Sequence, residues 1–288
     1  GAFENMEKAK GLETKGIEAR VGMIRLYTQE LIMGMGAGKN AAAIIGDCGK
    51  EFKAANEKEP NSARLHYYMG MFYKAALDFD KAAGMFKTVL DLNREFVGEA
   101  NTEWALIQKI QRAAPGSEIG KKIALIDKID RADVAALFDQ EMNLEKLFTK
   151  RGPKTYDTTF KAPTETTTQF SPETTIKMAA ATDINDHWLK PSIETILRIQ
   201  VRGLEAGPNH KFEPDKLITK AEFAVMLEDI LIKVSGDEKL ATKFLGAASP
   251  FPDVRNDQYF FGAAMTATSR GFLEADKATG EFRPGDPV

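Results

Sequence analysis

The last third of the chain states one order of parts twice. Asp183-Ile184-Asn185-Asp186-His187-Trp188 is answered 70 positions later by Asp253-Val254-Arg255-Asn256-Asp257-Gln258-Tyr259. Gly203-Leu204-Glu205-Ala206, followed by Phe212-Glu213-Pro214, is answered by Gly271-Phe272-Leu273-Glu274-Ala275 and then Phe282-Arg283-Pro284. A recurrence of this length marks a small supersecondary unit that cannot bury its apolar face alone and must stack on its copy. Each unit reads as an aromatic-headed helix, a stop at Gly, a turn to Phe-x-Pro and a lead into another helix. In the first unit that helix opens Ile218-Thr219-Lys220-Ala221-Glu222.

These residues resemble the S-layer homology module, whose signature runs Asp-Val, Trp, a Gly-containing turn, Phe-x-Pro and a helix opening Ile-Thr-Arg-Ala-Glu. The resemblance covers residues 181–288, as modules at 183–235 and 251–288. Lys220 stands where the family prefers Arg, Tyr259 replaces the second Trp, and the second module stops at Pro287-Val288, where its last helix should begin. Upstream, Ile129-Asp130-Arg131-Ala132-Asp133-Val134 aligns with Ile218-Thr219-Lys220-Ala221-Glu222-Phe223. This orphan helix lies in a helical segment at 116–150. Either residues 129–142 pack into the truncated second module and complete it, or Ile129 begins a remnant third module or an unrelated helix, with the native chain continuing past Val288.

The first half repeats differently. From Ala63 the chain offers His66, Met69, Gly70 and Tyr73, then Ala82, Phe86 and Val89, with Asp78-Phe79-Asp80 between. This spacing resembles the tetratricopeptide repeat, in which small residues let two antiparallel helices approach while aromatic ones fill the space beside them. Stepping back by one 34-residue repeat places Cys48, Phe52, Ala55 and Pro60 on the second helix of a preceding unit. The pattern fades after Asn93, and Trp104, Leu106 and Ile110 carry an amphipathic helix to Pro115-Gly116. Residues 1–115 therefore read as a tetratricopeptide-like array. Between it and the modules, residues 151–182 turn rich in Thr and Pro, which resist helix and favour an extended connection. The expected fold is mostly α: an antiparallel helical array followed by helical modules.

Several motifs have purely structural explanations. Thr219-x-x-Glu222 makes a capping box and Asp130-x-x-Asp133 a similar one. Asp183 and Asp253 read as caps of the first helix of each module, and Gly203 and Gly271 as left-handed residues after helix ends. Cys48 is a small core residue, Asp183-x-Asn185 lacks the later ligands of a calcium loop, and Gly34 to Asn40 fails the phosphate-loop pattern because Met33 and Asn40 stand where Gly and Ser or Thr are needed. The cations are harder to explain by folding. Lys220 and Arg131 sit in the first turn of a helix, where the macrodipole disfavours positive charge, and a cation beside free amide donors is suited to an anionic ligand. The family resemblance implies the same, since such modules bind acidic cell-wall polysaccharide in grooves lined by this motif. The expected glycan site is Lys220, Arg131, Trp188, Thr219 and Glu222, with Trp188 packing against a sugar ring; Tyr73 and His66 mark the groove of the front array, where a protein or peptide partner would bind.

Composition narrows the function classes. A net charge of −3 with both signs interleaved gives no basic footprint for nucleic acid. The apolar runs are too short to span a bilayer, and one cysteine and three scattered histidines make no metal site. No nucleophile, acid pair or cofactor loop stands out, so the chain is read as a non-enzyme without cofactor. The start at Gly1-Ala2-Phe3 suggests a removed export signal or lipid anchor and a cell-envelope location. The alternative is an adaptor or assembly factor in which the rear modules are scaffold only.

Overall fold

In a computed structural model, residues 1–12, 16–33, 41–151 and 181–288 are described. Residues 13–15, the Gly-rich run at 34–40 and the Thr- and Pro-rich stretch at 152–180 lie outside the described residues. The described chain is mostly helical, as its periodicity required. It divides into two compact units, Gly1–Ala124 and Leu125–Val288.

The front unit holds α1 (Ala2–Leu12), α2 (Glu18–Ile32), α3 (Ala41–Lys58), α4 (Ala63–Ala75), α5 (Phe79–Leu92), α6 (Val97–Ala113) and α7 (Glu118–Ile123). Side chains set the helix starts: Ser62 accepts from the Leu65 amide, Asp78 from that of Lys81 and Ser117 from that of Gly120. Asn93 ends α5 in the left-handed conformation at φ 48°. The repeat pattern translates into packing. A Cβ on Gly70 would stand 2.6 Å from Phe86 Cε1, so the absence of a side chain on α4 is what admits the ring from α5. Cys48, Met69 and Phe72 are fully buried in one core with Val21, Ile24 and Leu65. Burial pushes the Cys48 thiol up, which fits a small core residue and no reactive role.

The rear unit begins with α8 (Arg131–Ala136), prolonged by a π-type turn over Leu137–Glu141, and α9 (Leu144–Arg151). After it come α10 (Lys190–Ile199), α11 (Lys220–Ser235), a 3-10 turn at Glu238–Thr242 and α12 (Phe261–Ser269). Three chain segments meet in a ring of backbone hydrogen bonds. The Ile129 amide donates to Val288 O at 2.9 Å, the Val288 amide to Ile218 O at 2.9 Å, and the Ile218 amide to Ile129 O at 3.1 Å. Ile129 and Ile218 are the residues that the sequence alignment paired, and Val288 takes the same place in the ring. α8 packs on α10 and α11 packs on α12.

Two expectations are corrected here. The helix at 129–142 does not complete the second module: it lies against α10 of the first, and Ile129 is where its lead-in reaches Val288. Asp183 and Asp253 cap no helix. Asp183 accepts from the Phe212 and Glu213 amides, both at 2.8 Å, and Asp253 from the Phe282 and Arg283 amides at 2.8 and 2.7 Å. Glu213 and Arg283, each just before a proline, have φ of 58° and 55°. A carboxylate gripping two successive amides holds the residue after Phe in a conformation that non-glycine side chains resist. Gly203 and Gly271 are left-handed at φ 90° and 73°, although Gln200 at φ 54° is what ends α10.

Candidate functional site

Each module turn is locked to the helix start of the preceding segment by one cation. Arg131 reaches across from α8 and donates Nε to Phe212 O at 2.6 Å, one Nη to Gly203 O at 2.8 Å and the other to Glu205 O at 2.9 Å. Its guanidinium lies 4.7 Å from the centre of the Phe212 ring. Lys220 repeats the arrangement one module later: Nζ donates to Glu274 O at 2.7 Å and lies 4.9 Å from the Phe282 ring centre. These carbonyls explain the cations that the helix macrodipole alone could not. The residues reached, Gly203, Glu205 and Glu274, were missed as site residues because a backbone acceptor leaves no mark in side-chain composition. A signal did exist for the supporting carboxylates, since Asp183 to Phe212 and Asp253 to Phe282 share a spacing of 29 residues.

The two cations differ in what they have left to offer. Arg131 is only 8% exposed, all three of its nitrogens are engaged, and burial pulls its pKa down despite the neighbouring carboxylates of Glu222 and Glu213. It forms the floor of a cleft of about 410 Å³ rimmed by Glu205, Asn209, Lys211 and Glu213. Lys220 is half-buried and spends one of its three N–H donors on Glu274 O. Its pKa is lowered by burial, partly offset by Asp286. Thr219 and Glu222 form the expected capping box: the Glu222 amide donates to Thr219 Oγ1 at 3.2 Å, and Glu222 Oε2 accepts from the Thr219 amide at 2.9 Å. Burial would raise the Glu222 pKa, but the Thr219 amide and hydroxyl hold it below the ordinary glutamate range. Thr219 and Glu222 thus hold the frame from which Lys220 projects.

The aromatic heads of the two modules are both on the surface. Trp188 is 62% exposed and Tyr259 75% exposed. The Trp188 turn is anchored by His187, whose Nδ1 accepts from the Leu189 amide at 3.2 Å and whose Nε2 lies 3.8 Å from Asp215 Oδ1. Asp215 directly follows the Phe212-Glu213-Pro214 turn, so Trp188 stands beside the segment that lines the cleft. The indole stacks with the His187 ring, centroids 6.4 Å apart, and at 62% exposure leaves much of its apolar surface to solvent.

On the front unit, His66 is buried, with Nδ1 2.9 Å from Ser62 O and its ring edge-on to Phe52. It is a packing residue and not part of an open groove. Tyr73 is half-buried, with Lys81 Nζ 5.3 Å from its ring centre, and burial raises its pKa. A concavity of about 490 Å³ lies elsewhere on the unit, between the α4–α5 turn at Asp78 and Asp80, the end of α6 at Gln111, and Lys121. Among the described residues no helix is long and apolar enough to cross a membrane, and no three His, Cys, Asp or Glu side chains converge as metal ligands.

No family model matches the chain, and no solved structure matches it. Among curated proteins it is similar to an exoglucanase, XynX of Acetivibrio thermocellus, with 28% identity over 112 residues. The match covers 39% of this chain and 9% of that protein.

Proposed function

We propose that the protein is a non-enzymatic component of the bacterial cell envelope whose rear unit, built of modules resembling S-layer homology repeats, binds an acidic cell-wall polysaccharide or peptidoglycan. The observation that carries this reading is the repeated cation clasp, in which Lys220 keeps two unspent donors at a helix start. Carboxylate or ketal oxygens of the glycan accept from Lys220 Nζ, and an exposed ring, Trp188 or Tyr259, offers a face for sugar stacking. Arg131 holds the shape of the first cleft and contributes little direct binding, because its donors are committed to carbonyls. The partial likeness to an exoglucanase, a protein named for acting on glucan, is compatible with work at a polysaccharide surface. The front unit, a helical array resembling tetratricopeptide repeats, presents a protein or peptide partner with Tyr73 or with the concavity near Asp80.

Co-sedimentation of the full chain with purified wall sacculi tests the reading, with and without mild acid stripping of attached polymers and acidic ketals. Retention lost on stripping is the expected result, and Lys220→Glu should abolish it without unfolding the chain. Absence of retention by intact sacculi would reduce the rear unit to scaffold and leave an adaptor role for the front array.

A further inference from the structure

The two helix-to-helix joints of the rear unit treat the acid at matching positions in opposite ways: Asp139 is partly exposed and Glu228 is buried. Continuing the alignment of 129 with 218 puts Asp139 opposite Glu228. Asp139, in the π-type turn after α8, is satisfied: Ser192 Oγ on α10 donates to its Oδ2 at 2.7 Å and Gln140 Nε2 at 2.8 Å. Glu228, on α11, is 6% exposed, and its Oε1 is buried with no hydrogen-bond partner. Across the joint, α12 presents Gly262 instead of a hydroxyl; a Cβ built there would lie 3.6 Å from Glu228 Oε1. Thr266, one turn further along α12 and 2% exposed, also has a hydroxyl with no partner. A carboxylate cannot be held in such a place without its water or a donor, whereas a carboxylic acid costs far less.

We propose that Glu228 enters the α11–α12 joint as the neutral acid, and that its ionisation loosens the second module from the first. The surrounding charges do not offset the burial of the ionised form. α12 carries no charged residue. The 3-10 turn offers Glu238 and Lys239, both exposed. On α11 itself Asp229 is engaged by Lys233, and on α9 Glu145 is engaged by Arg198. Arg202 acts on Glu228 favourably but forms no ion pair with it, and burial prevails, raising the acid's pKa. The pH dependence has a definite sign: an acid whose pKa is raised by folding adds stability below that pKa, and stability falls as pH rises from the ordinary glutamate range through the raised value. Because Lys220 lies on α11 and holds Glu274 of the second module, the same loosening would release that clasp. The joint behaves this way whether or not a glycan binds.

The test is hydrogen exchange of the α12 amides in the full chain between pH 5 and pH 8, corrected for the intrinsic rate. The opening constant of wild-type α12 should rise roughly tenfold across this range, the least expected for stranding a buried charge. Glu228→Gln should flatten the dependence while α10 amides are unaffected. Gly262→Ser supplies the hydroxyl that Ser192 gives Asp139 and should also flatten it, relative to Gly262→Ala, which controls for helix propensity. A flat wild-type profile, or a slope unchanged in Glu228→Gln, overturns the proposal. Should Glu228→Gln fail to fold, equal slopes in the Ser and Ala variants overturn it, and a flatter slope in the Ser variant supports it.

Discussion

Arg131 offers the sharpest test of how the rear unit is held together. Replacing it with Met keeps the apolar stem but removes three charge-assisted bonds, to Phe212 O, Gly203 O and Glu205 O. Hydrogen bonds from a charged donor contribute roughly 1.5–3 kcal/mol each, though such bonds from one group are not additive. Removing one partner of a buried charged cluster costs roughly 3–5 kcal/mol, and the lower half of that range is apt because the carbonyls border an open cleft and can be rehydrated. A loss of about 3 kcal/mol should lower the thermal midpoint of a unit of this size by roughly 6–12 °C. Arg131→Lys reproduces the arrangement seen at Lys220, one bond to the turn and the charge over the ring, and should lose about half as much. The assay is thermal unfolding of the full chain by circular dichroism, with hydrogen exchange assigning the shifted transition to residues 125–288. A change below about 1 kcal/mol for Arg131→Met, together with lost retention on sacculi, would refute the clasp and restore Arg131 as a ligand-binding group.

Further outcomes follow from other positions. Gly70→Ala places a Cβ 2.6 Å from the Phe86 ring and should cost the front unit roughly 1–3 kcal/mol by overpacking, read as a lower urea midpoint, whereas Gly84→Ala, where nothing lies within 4 Å, should not destabilise. Asp183 is subject to burial, which raises its pKa, but amides from Phe212 and Glu213 outweigh this and hold it below the usual aspartate range. Its contribution is present above about pH 4 and lost as pH falls towards the lowered value, so Asp183→Asn should destabilise at pH 7 and leave the acid limb of the stability profile shallower. Lys220→Glu should abolish wall retention while stability to thermal unfolding falls by only about 1 kcal/mol, since one half-exposed bond is lost.

The mostly helical class, the packing of α4 on α5 and the repeated order of parts in the rear unit were legible because they depend on periodicity and on residue size. Gly70 opposite Phe86 is a local relation, set by the three-residue turn between α4 and α5, and a repeat pattern captures such relations directly. The two capping boxes were equally readable, because a cap is completed within four residues. What escaped sequence reading was long-range and carried by backbone atoms. The roles of Arg131 and Lys220 depend on carbonyls 72 to 81 and 54 residues away, and a carbonyl is the same whatever residue bears it. His66, read as a groove residue, turned inward because its neighbours close over it, a matter of packing that helical periodicity alone does not settle.

The sequence by itself therefore determined which segments become helices, where α8 and α11 start, and that the rear modules are copies of one another. Only the tertiary structure decided which helix serves which module. The orphan helix could in principle have completed the second, but the ring through Ile129, Ile218 and Val288 directs Arg131 into the turn of the first. The physical reason is that local propensity and hydrophobic period specify a helix and its buried face, whereas the choice between near-identical partners rests on the few hydrogen bonds that form once the chain is compact.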